Sequence, residues 1–180
     1  MAKVSFTPRT TDLLARADAI CDRRGARLTE VRRHVLGLVL DSPRPSGAYD
    51  MLDKLRAHHK GAAPPTIYRA LDFLLEQGLI HKVERLSAFV GCVHGFSEDD
   101  DDDHVHHHTV QFLICQQCGQ VQELSDKAIG KSLVRAALST GFTLLGSTVE
   151  ADGVCAACAG RASGPTAAEV APDTRSQNPV

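Results

Sequence analysis

Two Cys-x-x-Cys pairs, Cys115-Gln116-Gln117-Cys118 and Cys155-Ala156-Ala157-Cys158, constrain this chain more than any other feature. Together they can close a tetrahedral site of four thiolates with no open position, the donor set and spacing of a structural zinc. Gly119, directly after the first pair, permits the tight turn that lets amides approach the sulfurs. Between the pairs the pattern predicts a strand from Gln120 to Leu124 and a helix from Ser125 to Ser139, with Ile129, Leu133, Val134 and Ala137 inward. A strand from Phe142 to Glu150 follows. A bound cation would staple the ends of this α/β unit and contribute on the order of 10 kcal/mol to folding. A thioredoxin-like role for one pair is disfavoured, because the pairs are doubled and no matching βαβ start accompanies them.

The zinc reading requires reduced thiols. No apolar run approaches a membrane span, and the opening MAKVSFTPRT lacks the apolar core of a signal peptide. The expectation is a soluble cytosolic protein with no membrane partner, in which six cysteines do not form a disulfide framework. Cys21 falls on the apolar stripe of a helix and reads as a buried, inert thiol.

Charge divides the chain. Residues 1 to 86 hold 15 Lys/Arg against 10 Asp/Glu, and residues 87 to 180 hold 5 against 12, so a basic half precedes an acidic one. A basic half suits a polyanionic partner. Its pattern predicts a helix over Thr10 to Arg24, and a second from the N-cap Thr29 that buries Val31, Val35, Leu38 and Val39. A third, capped by Ser46, runs to His58, and a fourth spans TIYRALDFLLEQG with Gly78 at its end. LIHKVE, RLS and AFVGCV then form a β-hairpin. Helices followed by a hairpin follow the order of a winged helix-turn-helix, whose last helix enters the DNA major groove. Arg69, on the face opposite Ile67, Ala70, Leu71 and Leu74, can grip a guanine edge with two parallel bonds. Tyr49, Arg32 and Arg33 are candidates for phosphate or groove contacts.

His81, Cys92, His108 and Glu123 remain as further potential ligands, and together they would make an N₂SO set suited to zinc. Spacing does not select them from nine histidines. The acidic run of residues 98 to 103 and His104, His106 and His107 read as a solvated segment, with a weak cation-collecting antenna as the sharper alternative.

RLTEVRRHVL, SGAYDMLDKLR, PPTIYRALDFLLEQGLIHKVE, HTVQFLICQQCGQVQE and VEADGVCAAC occur here in one order. With the hairpin ending in Cys92, they resemble the ferric-uptake-regulator (Fur) superfamily of metal-sensing repressors, most closely its zinc-sensing Zur branch. The resemblance implies an α+β architecture: a winged-helix DNA-binding domain over residues 1–93, a hinge over 94–108, which here carries the acidic, His-rich loop, and an α/β dimerisation domain over 109–159. Residues 160–180, polar and Pro-containing, read from their composition as a disordered tail. It implies two zinc ions per subunit, a structural one on Cys115, Cys118, Cys155 and Cys158 and a regulatory one on His81, Cys92, His108 and Glu123. DNA readers fall on Tyr49 and Arg69, while Asp53 and Arg56 match positions that link neighbouring dimers on DNA. Two departures stand out. His108 lies seven residues before Cys115, unlike the closer His-x-His of iron-sensing relatives, which leaves His106 and His107 as rival ligands. The acidic run looks like an insertion in the hinge.

The expected protein is a homodimeric, zinc-dependent repressor of zinc-uptake genes on a pseudo-palindromic double-stranded operator, with room for two dimers per site. Alternatives are a sensor of iron or another divalent metal, and a zinc buffer or transfer protein. An enzyme is not expected, since both sites are filled by protein ligands and the His-x-Glu of zinc deaminases is missing.

Overall fold

The computed structural model describes residues 4–92, 96 and 109–162. Four helices come first: α1 (Pro8–Arg23), α2 (Glu30–Leu40), α3 (Ala48–Arg56) and α4 (Pro64–Glu76). The two-residue strand β1 (Ser46–Gly47) precedes α3, and a hairpin of β2 (Ile80–Val83) and β3 (Ala88–Gly91) follows α4. A 3-10 turn, Glu84–Leu86, joins the hairpin strands. The second half carries β4 (Thr109–Cys115), β5 (Val121–Leu124), α5 (Lys127–Ser139), β6 (Ser147–Gly153) and α6 (Ala156–Ala162).

The N-terminal helices form where capping and apolar spacing agree. Thr7 caps α1, its hydroxyl accepting from the Thr10 N–H at 3.3 Å, and Pro8 occupies the first turn, where a missing N–H costs nothing. The Asp41 carboxylate accepts from the hydroxyls of Thr7 (2.7 Å) and Thr10 (2.8 Å), which holds its pKa below the ordinary carboxylate value and ties α1 to the end of α2. Phe6 closes on Gly37, where a Cβ would lie 2.3 Å from the ring. Leu36, Met51, Leu52, Leu55, Ile67, Leu71 and Leu74 are fully buried in one core, each worth about 1.5–3 kcal/mol over exposure. Cys21 lies in this core with its thiol pKa raised, chiefly by desolvation. Gly78 ends α4 at φ +64°, the left-handed conformation that frees the chain to enter β2.

Two three-stranded sheets result, ordered β1-β3-β2 and β5-β4-β6. In the second, β4 pairs antiparallel with β5 and parallel with β6, and Phe112 has both Glu123 and Glu150 as register partners. Residues in register share a face, so one row reads Glu123–Phe112–Glu150 and the next row on that face holds Val121, Ile114 and Asp152. The hairpin residue Val83 is buried against Phe112 and Ile114, with Val90, Val110 and Val121 around them. The hairpin thus docks on this face. On the other face Gln111 is buried and exchanges hydrogen bonds with the backbone of Asp126, which anchors the start of α5.

Several sequence expectations shift. Ser46 does not cap α3; it pairs with Phe89 in β1, Gly47 takes the cap, and the helix ends at Arg56 rather than His58. Thr29 stands at the N-cap of α2 without a side-chain hydrogen bond. β6 begins at Ser147, not Phe142, because pairing with Thr109–Cys115 sets its start. The expected inward residues of α5 are not buried: Ile129 is 37% and Val134 46% exposed, and the helix buries no residue within this chain. α6 runs through Ala162, past the expected start of the tail at 160. The segments of residues 98 to 104 and 163 to 180, and His106, His107 and His108, lie outside the described residues.

Candidate metal centres

The first centre grows from the ends of β4 and β6. These strands run parallel, so Cys115, the last residue of β4, lies beside Gly153, and each strand delivers a Cys-x-x-Cys at the same edge of the sheet. Cys118 follows in the turn that Gly119 closes at φ +68°, and Cys155 and Cys158 flank the start of α6. All four cysteines are free thiols, and their sulfurs lie within 4.8 Å of one another. The Cys118 and Cys155 sulfurs are 3.8 Å apart. That separation matches the edge of a tetrahedron with zinc–sulfur bonds of about 2.3 Å, so the donor set and its spacing fit zinc. The Cys155 N–H donates to the Cys115 sulfur at 3.3 Å, and with the Cys118 amide it pulls the Cys115 thiol down to about 6. Cys158, crowded by the sulfurs of Cys155 and Cys118, is pushed up to about 12. Clustered thiols resist joint ionisation unless a cation offsets their charge.

The second centre depends on docking. His81 lies opposite Val90 in the hairpin, and Cys92 donates its N–H to the Leu79 carbonyl at 3.1 Å. His81 and Cys92 therefore sit diagonally across one hairpin face. Glu123 comes from β5 in the other sheet, and the three donor atoms fall within 4.8 Å. His81 Nε2 is 3.8 Å from a Glu123 oxygen, both side chains are mostly buried, and the His81 ring meets Phe112 edge-on at 5.9 Å. An imidazole, a thiol and a carboxylate fit a borderline-soft divalent ion better than magnesium or calcium, which take all-oxygen sets.

The expected DNA-facing residues divide into two groups. Tyr49, at the start of α3, is 65% exposed, and Arg69 projects from the exposed face of α4 beside Tyr68. Arg32 instead lies over the Phe73 ring, 3.6 Å from its centroid, and donates to the Arg27 carbonyl. Arg33 donates to the Leu14 carbonyl at 3.1 Å and pairs with Asp18. On α3, Arg56 and Asp53 form an exposed ion pair at 3.2 Å.

Comparison with known proteins decides the family. The sequence model of the ferric uptake regulator family matches residues 23–151. The chain belongs to this family. Among relatives in the ferric uptake regulator family, the zinc uptake regulation protein of Escherichia coli K12 is 43% identical over 149 residues, covering 83% of this chain and 82% of that protein. The protein of the same name from Mycobacterium tuberculosis H37Rv is 26% identical over 134 residues, covering 74% of this chain and 95% of that one. A solved zinc uptake regulator complexed with zinc and DNA is 40% identical with a TM-score of 0.78, covering 87% of this chain and 99% of that chain. Holo XcZur is also 40% identical, with a TM-score of 0.72 over 84% of this chain and 99% of that one. The architecture is the family's winged-helix DNA-binding domain joined to a dimerisation domain.

Sequence reasoning missed three polar residues between hairpin and sheet: Glu150, Asp152 and Arg85. The signal available was the alternation that sets Glu150 and Asp152 on one strand face, but nothing local tied them to a turn so far back in the chain.

Proposed function

We propose that this chain is a zinc-responsive, DNA-binding transcriptional repressor of zinc-uptake genes that works in the cytoplasm as a homodimer. One observation carries the reading: His81 and Cys92 of the hairpin converge with Glu123 of the second sheet, so the donor set is complete only when the wing is docked. The zinc and DNA of the solved relative, together with its 40% identity, support the same conclusion. Zinc, when bound, supplies bonds that hold these donors together. His108 is the fourth ligand in this reading, and Cys115, Cys118, Cys155 and Cys158 hold a second, structural zinc, giving two per subunit. The domain limits at residues 93 and 108 follow from the same division of labour, and the second domain extends through α6 to Ala162.

The residues themselves perform the response. With its donors apart, the wing is held far less tightly and samples many angles. With them converged, α4 and the hairpin take one orientation, which suits adjacent half-sites of a two-fold operator. Moving such an equilibrium from 1:99 to 99:1 takes about 5.5 kcal/mol of differential binding. Arg69 and Tyr49 are exposed for groove contacts, whereas Arg32 and Arg33 brace α2 against α4 and α1 and so set the pose of the reading helix. The apolar residues that α5 and the following turn leave exposed, including Leu138 at 64%, Phe142 at 69% and Leu145 at 83%, supply a face for the second subunit. Asp53 and Arg56 form the contact between two dimers on one operator.

The test is operator binding with and without zinc. Wild type should bind only when zinc-loaded, and Cys92→Ser should stay dimeric yet bind no better with zinc than without. Zinc-dependent binding by that variant would reject the assignment of the responsive site.

A further inference from the structure

The hairpin touches the second sheet at its far end as well as at the metal-binding end. The backbone N–H groups of Glu84 and Arg85, in the 3-10 turn between β2 and β3, both donate to the Glu150 carboxylate, at 2.7 and 3.1 Å. The Arg85 guanidinium pairs with Asp152 at 2.5 Å. Glu150 stands in the same sheet row as Phe112 and Glu123, and Asp152 in the next row on the same face. One face of the sheet therefore receives the whole hairpin: Glu123 at the His81 end, Phe112 against Val83 in the middle, and Glu150 and Asp152 at the turn. From His81 to Glu84 is about 10 Å along the strand.

We infer that Glu150, Asp152 and Arg85 form a metal-independent clasp, and that this clasp positions the wing for DNA as the second of two anchor points. The inference rests on the repressor reading above. A hairpin held at one end can still pivot about that end, and a hairpin held at both ends cannot. Two successive N–H groups aimed at one carboxylate make a small anion nest, and charge-assisted bonds of this kind are stronger than neutral ones. The ion pair is partly exposed, with side-chain exposures of 55% and 29%, so alone it shifts a population by about fivefold at most. The clasp is thus a bias added to the metal site, and the two reinforce each other because either one pre-positions the hairpin for the other.

The clasp also competes with DNA for Arg85. A cationic turn at the tip of a wing could serve as a phosphate contact, and the two roles respond oppositely when Asp152 is neutralised. If Arg85 only grips phosphate, releasing it from Asp152 strengthens DNA binding. If it clasps the wing, releasing it weakens binding.

The test uses the full-length, zinc-loaded protein and a DNA duplex selected by the wild type from a random-sequence pool. A wild type that selects no duplex with zinc fails the repressor reading, and the clasp is examined only after that step succeeds. Asp152→Asn should lower affinity by up to about fivefold, and Arg85→Asp, which sets two carboxylates against each other, by up to about tenfold, with zinc content and dimer mass unchanged. The charge swap, Arg85→Asp with Asp152→Arg, should return affinity to within about threefold of wild type. Unchanged or tighter binding by Asp152→Asn would overturn the proposal, as would a swap no better than its weaker single variant. Glu150→Ala gives an independent reading at the other half of the clasp. It should lower the zinc affinity of the His81–Cys92 site as well as DNA affinity, and a zinc affinity equal to wild type would overturn the coupling.

Discussion

The four-cysteine centre and the His81–Cys92–Glu123 centre use overlapping donor chemistry, yet they are assembled in different ways. The first draws its ligands from the ends of two parallel strands paired residue by residue, so its geometry is set once β4 and β6 pair. The second draws two ligands from the hairpin and one from the other sheet, so it exists only while two separately folded surfaces touch. A centre of the first kind adds its binding energy to folding. A centre of the second kind adds it to one arrangement of parts already folded, which is what a sensor needs.

Breaking the first centre should produce the largest effect. Cys115→Ser should remove up to about 10 kcal/mol of metal-linked stability and abolish the dimer, measured by sedimentation and thermal unfolding. A stable, dimeric Cys115→Ser protein would erase the distinction between the two centres. Breaking the second should leave folding alone. Cys92→Ser is expected to keep the wild-type melting profile with chelator present and to lose as much as about 5.5 kcal/mol of zinc-dependent bias toward the DNA-binding form. The readout is the ratio of DNA affinities with and without zinc.

The contrast sharpens in the N-terminal helical unit, which holds a histidine of another kind. His34 is 4% exposed, flanked edge-on by His58 and at a tilt by His59, each with ring centroids at 5.2 Å. Burial, aided by His59 and His58, pushes its pKa down from 6.5 to about 4. The folded protein therefore holds this ring neutral while the unfolded chain protonates it first. Its contribution, on the order of 3 kcal/mol, is present above pH 6.5 and is lost as the pH falls from 6.5 toward 4. His34→Leu should flatten the loss of stability over that window, measured by urea unfolding at several pH values against wild type. The smallest expected effect lies on the reading surface. Arg69→Ala should cost about 1–3 kcal/mol and relax preference for one base pair, without altering the zinc titration midpoint in the absence of DNA. Selection from a random DNA pool checks the first part, and a chelator competition the second.

What could be read from the sequence follows the same division. The four cysteines were legible because their spacing is local and their chemistry specific. The helices and hairpin of the first half were legible because apolar periodicity and Gly78 mark them within a few residues. His81, Cys92 and Glu123 could not be picked out by spacing, because their convergence depends on hairpin register and on docking against β5, and it took the family resemblance to name them. The α5 residues Ile129 and Val134 were misassigned for a related reason. Periodicity identifies an apolar face but not whether it is covered by the same chain. Ser46 was misassigned because a two-residue strand carries almost no pattern, so the hydroxyl looked like a cap. The clasp residues gave no local sign, since Arg85 is an exposed and Glu150 a half-buried polar group, far apart in the chain.

The central claim is that donors on hairpin and sheet make wing orientation depend on the second zinc. It is tested most directly by the distance distribution between fluorophores on the wing and on the second sheet, in protein already carrying its four-cysteine zinc. Adding one further equivalent of zinc should collapse a broad distribution to a narrow one, and Cys92→Ser should stay broad. An equally narrow distribution before and after that equivalent, or a collapse that survives Cys92→Ser, would contradict the account.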